Sequence, residues 1–209
     1  GTSRPEVERV IVPSTWRALG VAAFGTLPGD LAWRVHAGEG LNARGFGAAS
    51  GVRGGRQSGS RSLGTQPAFT ARLDWTGAPG LLLGASGYVG DSWQDFQPAG
   101  ADIEALTTLW DAHARWQWRG LDVRGLYARG TQQDAGDVSD ALGLIDDARL
   151  GASFWGAYAE AAYDVLPHLV AGSRWSLLPY ARWETFDTQD DVPGGAESAA
   201  NARTNVVAG

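Results

Sequence analysis

Between Thr107 and Trp118 the character of the side chain changes at every step. Trp110, Ala112, Ala114, Trp116 and Trp118 are interleaved with Asp111, His113, Arg115 and Gln117. A period of two is the signature of a β-strand with one apolar and one polar face; a helix, with its period of 3.6, would scatter those residues around its axis. The same rhythm returns where Phe69, Ala71, Leu73 and Trp75 enclose Thr70, Arg72 and Asp74. It predicts eight strands, over 16–27, 31–41, 68–77, 81–89, 107–118, 121–129, 153–165 and 177–187, with a ninth beginning at 203–208.

The links between these strands alternate in length. Pro28-Gly29-Asp30, Ala78-Pro79-Gly80 and Arg119-Gly120 are tight turns, in which Pro presets φ and Gly accepts positive φ. The fourth link on that side, 166–176, is longer and less turn-like. Links 42–67, 90–106, 131–152 and 188–202 are long and rich in Gly, Ser, Asp, Gln and Arg. Short and long links therefore fall at opposite ends of an antiparallel meander. Within 131–152, the spacing of Val138, Ala141, Leu142 and Ile145 predicts a short helix over 137–147.

A water-soluble sheet can alternate as well, but Trp along the apolar face together with alternating turns and loops is the pattern of a barrel with lipid outside and water inside. The expected outward set includes Trp33, Val35, Leu73, Trp75, Leu83, Trp110, Trp116, Trp118, Val123, Tyr127, Trp155, Tyr163 and Trp183, and no charge appears in it. The expected inward, pore-lining set is Arg34, His36, Arg72, Asp74, Asp111, His113, Arg115, Asp122, Arg124, Glu160, Arg182 and Glu184, with Thr70, Ser86, Tyr88, Gln117, Tyr158, Asp164 and Tyr180 on the same side. The first strand is ambiguous: Leu19, Val21 and Ala23 compete with Trp16, Ala18, Ala22 and Phe24 for the apolar face.

Composition is compatible with this. The hydrophobic fraction is 44% and mean hydropathy −0.20, because every second residue of a barrel strand is polar. No apolar run approaches the ~18–20 residues of a transmembrane helix. A net charge of −6 speaks against a nucleic-acid partner. Absence of Cys excludes disulfides and thiolate metal sites. The chain opens without an initiator Met or signal peptide and stops as a ninth strand begins. The expectation is thus one barrel domain over 1–209, incomplete at both ends, since single-chain bacterial barrels have even strand numbers.

Three features carry candidate chemistry. Loop 42–67 holds Arg44, Arg53, Arg56 and Arg61 with no acidic residue. Folded inward, it would set an anion-attracting constriction; at the rim it would meet anionic lipopolysaccharide; otherwise it is a solvated surface loop. His113 shares a face with Asp111 and Arg115, but no G-x-S-x-G or H-E-x-x-H motif accompanies it. Acidic loops 91–104 and 134–147 suggest weak divalent-cation binding, although Asp134, Asp137 and Asp140 lack the EF-hand spacing. No catalytic residue, metal ligand or cofactor site is assigned.

The stretch Val12-Pro13-Ser14-Thr15-Trp16-Arg17-Ala18-Leu19-Gly20-Val21, with segments 51–60, 107–114 and 156–167, resembles bacterial outer-membrane porins of the phosphate-selective-porin-like superfamily. The resemblance covers nearly the whole chain, as the middle of a longer porin. It implies a wide barrel of about 16–18 strands, a homotrimer, and passive diffusion of small hydrophilic solutes or ions without a cofactor. The phosphate-specific members line their pores with Arg and Lys. Here Lys is absent and the luminal signs are mixed, so phosphate selectivity does not carry over. Two alternatives remain open from the residues: an outer-membrane barrel enzyme using His113 and Asp111, and a soluble all-β binding or structural domain.

Overall fold

The computed structural model describes residues 4–12, 16–96, 103–170 and 172–209. Nine strands form one antiparallel sheet in which every strand pairs with its sequence neighbours, in the order β1 to β9. They are β1 (Gly20–Leu27), β2 (Leu31–Glu39), β3 (Pro67–Ala78), β4 (Leu81–Asp91), β5 (Leu106–Trp118), β6 (Leu121–Gln132), β7 (Ser153–Tyr163), β8 (Tyr180–Asp191) and β9 (Ala202–Ala208). All eight expected strands are present, and β9 completes the ninth. The sheet has two edges, β1 and β9, which do not pair with each other.

The tight links work as their composition requires. Gly29 and Asp30, Gly80, and Arg119 with Gly120 all have positive φ. Two consecutive positive-φ residues give a turn whose twist matches the right-handed twist of the strands. Several strand ends differ from expectation. β1 begins at Gly20 rather than Trp16, and β8 at Tyr180 rather than Leu177; β6 runs on to Gln132 and β8 to Asp191, while β2 and β7 stop two residues early, at Glu39 and Tyr163. Before β8, Pro167 starts a one-turn helix, Leu166–Leu169, and the Asp164 carboxylate accepts the N–H groups of both Leu166 and Leu177. Backbone donors that would have extended the ladder are satisfied locally instead. Asp164 therefore lies beyond β7, in the link, and not on the wall.

Register settles the faces, because directly paired residues share one. Phe24 pairs with Arg34 and Ala22 with His36, while Val21 pairs with Ala37 and Ala23 with Val35. The ambiguous strand thus turns Val21, Ala23 and Leu27 outward, and Phe24 joins the polar face. Trp33, Trp75, Trp110, Trp116, Trp155 and Trp183 all fall on the opposite face from Arg72, Asp111, Arg115, Glu160 and Arg182.

The buried core is not on the Trp-bearing face. It lies at the long-link end of the polar face, where loops close over the sheet. Val7, Ile11, Leu41, Val52, Trp93, Val138, Leu150, Phe154 and Phe186 belong to it. Its non-strand parts are the helix α1 (Val7–Val10), two 3-10 turns at Ala43–Gly45 and Val52–Gly55, and the helix α2 (Ala135–Ala141). The helix expected over 137–147 is shorter and starts earlier; Gly143, at positive φ, follows its end, and a 3-10 turn covers Asp146–Ala148. No helix among the described residues is long and apolar enough to cross a membrane, which bears only on helices.

Candidate functional site

Along the polar face each rung is set by register, and the charges fall on neighbouring strands. In the short-link half they pair off. Arg115 donates from Nε and Nη2 to the two oxygens of Asp122, at 3.0 and 2.5 Å, in a bidentate fork. Arg124 meets Glu160 at 2.8 Å, and Arg182 meets the other oxygen of Glu160 at 3.1 Å. Arg72 donates to Asp74 at 2.7 Å. Cross-strand neighbours of opposite charge lie naturally within reach, because the side-chain spacing across an antiparallel pair is only ~5 Å.

Arg34 has no such partner. It shares its rung with Arg72, as Arg115 does with Arg124, and Phe24 lies on its other side. Among the described residues no carboxylate comes within ion-pair distance of it. It borders three adjoining hollows along the polar face, with Trp16 and Tyr88 near one end and Phe24 and Asp74 near the other.

His113 is held from both sides. Its Nδ1 lies 2.6 Å from Asp111 and its Nε2 3.0 Å from Asp74. Asp74 stands on β3 and His113 on β5, so the contact passes over β4. Gly84 is the residue between them on that rung, and a Cβ there would come within 2.3 Å of both side chains. The missing side chain is what lets the ring reach across. Two carboxylate acceptors call for an N–H on each ring nitrogen, the arrangement of an imidazolium. Ser86 gives its hydroxyl to Asp111. Neither ring nitrogen is left to face that hydroxyl, as a base activating a serine would have to.

Loop 40–66 lies across the polar face. Thr188 of β8 donates its hydroxyl to the Ala48 carbonyl, and Gly51 packs beside Thr188 and Val10. A loop that springs from the β2–β3 junction thus reaches the polar side of β8. It is not a flexible stretch. Gly45 and Gly54 approach so closely that a Cβ on either would clash with the other's carbonyl oxygen, and buried Glu39, Gln57 and Gln94 tie its backbone down. Its arginines are held in different ways. Arg44 lies over the Phe96 ring, 4.8 Å from its centroid. Arg56 donates from Nε to the Arg53 carbonyl, and burial together with the Arg53 charge holds its guanidinium below the usual value. Arg44, Arg56 and Arg61 line one cavity of about 290 Å³.

Among the described residues the acidic loops gather no cation site. Asp140 pairs with Arg149 at 2.5 Å, and Asp134 accepts the Glu104 N–H at 3.3 Å. Parts of loop 91–104 lie outside the described residues.

Two features escaped the sequence. The long-link half of the polar face is apolar and covered: Leu109, Ala128, Phe154 and Phe186 have inward parity and sit in the core. Their parity was readable; the loops that cover them were not. On the outer face, Arg129 shares the Trp110–Trp155 rung and pairs with Asp190 at 3.2 Å, and Trp155 also donates to Asp190. Parity marks Arg129 as outward. The register shift beside Trp155, which brings Asp190 round, has no local signature.

Apart from these, from Asp187 on the Trp155 rung and from the hydroxyl pairs Thr108–Thr131 and Thr185–Thr204, the outer face is apolar and uncovered. Val21 and Val206 are 77% exposed, Phe69 56% and Trp118 52%. Aromatic rings gather at its two ends, Trp110 with Tyr127 and Trp155 at one, and the stacked Trp116–Trp118 pair with Arg119 at the other.

No family model matches the chain. A curated protein of Aquifex aeolicus (strain VF5), named "Uncharacterized protein", is 28% identical over 211 residues, which cover 97% of this chain and 47% of that protein. The chain therefore spans about half the length of the curated relative it matches.

Proposed function

We propose that this chain forms part of the wall of a bacterial outer-membrane β-barrel porin, through which small hydrophilic solutes or ions diffuse passively. The observation that carries this is the arrangement of the sheet: its uncovered face is largely apolar, and the short-link half of its opposite face is ionic. On β5, Trp110 and the Trp116–Trp118 pair are separated by six to eight residues, with Ala112 and Ala114 between. At ~3.3 Å per residue that is ~20–26 Å along the strand, or ~14–21 Å of height at a barrel tilt of ~35–45°, which falls inside the ~25 Å apolar band of an outer-membrane barrel. In water, so large an apolar surface would favour aggregation; in lipid it is solvated.

In this reading the short links face the periplasm and the long links the outside. The barrel closes with further strands at the β1 and β9 edges, to about 16–18 in all, and assembles as a homotrimer in contact with lipid and lipopolysaccharide. Luminal charges filter solutes, and the wall performs no covalent chemistry. Since most luminal arginines have counter-charges, selectivity falls to Arg34, with loop 40–66 narrowing the path beside it.

The test is reconstitution of the full-length protein in planar bilayers. Expected are a requirement for detergent during purification and stepwise, ohmic conductance increments. Recovery in the soluble fraction without detergent, with no conductance, would sink the proposal in favour of a soluble all-β domain.

A further inference from the structure

We propose that residues 4–12 are a detachable plug, clasped to the inner face of β7 and β8, that keeps the pore narrow while seated and widens it on release. The inference rests on the porin assignment above, and goes beyond it by giving the pore a moving part.

The seat is built for this segment. Val7 and Ile11 are both fully buried. They fill a notch at Gly156, where an added Cβ would come within 3.0 Å of each. Gly156 lies on the inner face, paired with Phe186 of β8 and Ala128 of β6. Two polar clasps flank the notch. The Glu6 N–H donates to Glu184 of β8 at 2.6 Å, and the Tyr158 hydroxyl of β7 donates to Glu8 at 2.5 Å. Val10 lies against Gly51, so the segment also supports the loop that crosses the same face. Beneath it Glu184 is 1% exposed, a burial foreign to a charged group on a water-filled wall.

The attachment is through side chains and not through the sheet ladder. The segment's backbone hydrogen bonds among the described residues are internal to its single helical turn, apart from the Glu6 clasp. Pro5, Val7, Val10 and Ile11 are buried and Val12 packs against the same core, with the two clasps beside them. The segment adds no strand to the sheet, so it can leave without breaking a ladder bond. Its departure would uncover Glu184 and return the Gly156 side of the lumen to water.

The experiment uses the full-length protein and two independent ways of unseating the plug. V7D/I11D places charge in the notch, and G156L fills it. In planar bilayers both are expected to raise single-channel conductance about twofold or more over the unsubstituted protein. In parallel, V7C is introduced, a near-isosteric thiol at a fully buried position of the seated segment, in residues otherwise free of cysteine. In lipid vesicles it should resist a charged maleimide in the otherwise unsubstituted background and react rapidly with G156L. Absence of any channel from the unsubstituted protein would overturn the porin assignment. Channels of equal conductance in all three proteins, or equal V7C reactivity in both backgrounds, would overturn the plug alone. Variants are compared only where their folded, heat-modifiable form is intact; should V7D/I11D fail that criterion, G156L with V7C gives the same two readouts.

Discussion

Arg34 and His113 show how much one wall position depends on its neighbours. Sequence placed both on the inner face, and parity was enough for that. It did not name the pairs they sit among: Arg115 with Asp122 follows from the two-residue turn between β5 and β6, whereas Arg124 with Glu160 needs the register across the long link between β6 and β7. It could not reveal that His113 touches Asp74, since that contact needs the registers of β3 to β4 and β4 to β5 together, plus the gap left by Gly84. Nor could it single out Arg34, which, like Arg203 near the β9 edge, has no carboxylate at ion-pair distance among the described residues, whereas Arg72, Arg115, Arg124 and Arg182 do. Arg34 faces Arg72, and like charges directly opposite repel, so a passing anion relieves that repulsion. Arg34→Ala is expected to lower the anion-to-cation permeability ratio about twofold at 0.1 M salt, where the Debye length is ~10 Å, and less at 1 M, where it is ~3 Å. Reversal potentials under a salt gradient measure it. The double change Arg53→Ala with Arg56→Ala should move the ratio less. A larger shift from the loop pair would make the loop, rather than the wall, the selective element.

Strands were legible as elements because each carries its own period of two; their ends were not, because a terminus is decided by which group takes the next N–H. Asp164 takes two of them before β8 begins. The face assignment makes a prediction for β5 alone. Ala114 points outward between the girdles, beside Leu83 and Gly125. Gln117 points inward, its amide donating to Asp122 at 3.1 Å. An arginine on the lipid side at mid-depth costs ~2–4 kcal/mol. Ala114→Arg should therefore cut folding into preformed lipid vesicles about tenfold or more, whereas Gln117→Arg, beside a carboxylate, should fold as well as the parent. Band-shift electrophoresis of unheated samples reads the folded fraction. Equal folding of the two would mean that the faces do not divide lipid from water.

At the scale of the whole molecule, the meander was readable because alternating turns and loops leave little freedom in antiparallel order. The crossing of loop 40–66 and the seating of residues 4–12 were not, because no local rhythm encodes a contact between Ala48 and Thr188, 140 residues apart, or between Glu6 and Glu184, 178 apart. That division has a kinetic side. Every ladder in the sheet joins consecutive strands, so each hairpin closes a small loop at low entropic cost. The contacts that bring the segments onto the inner face each span most of the chain, and can form only after β7 and β8 exist to receive them. Assembly is therefore ordered: wall first, contents last. Pulsed hydrogen exchange during folding into lipid should protect β5 and β6 amides before those of Val10 and Ile11, and protection in the reverse order would contradict it. For a passage through a membrane the sequence has a direct effect. In the proposed porin the newly made wall would enclose a wider bore than the finished one, so for a short interval after insertion the protein would be at its leakiest, and the last step of folding would also be the step that seals it.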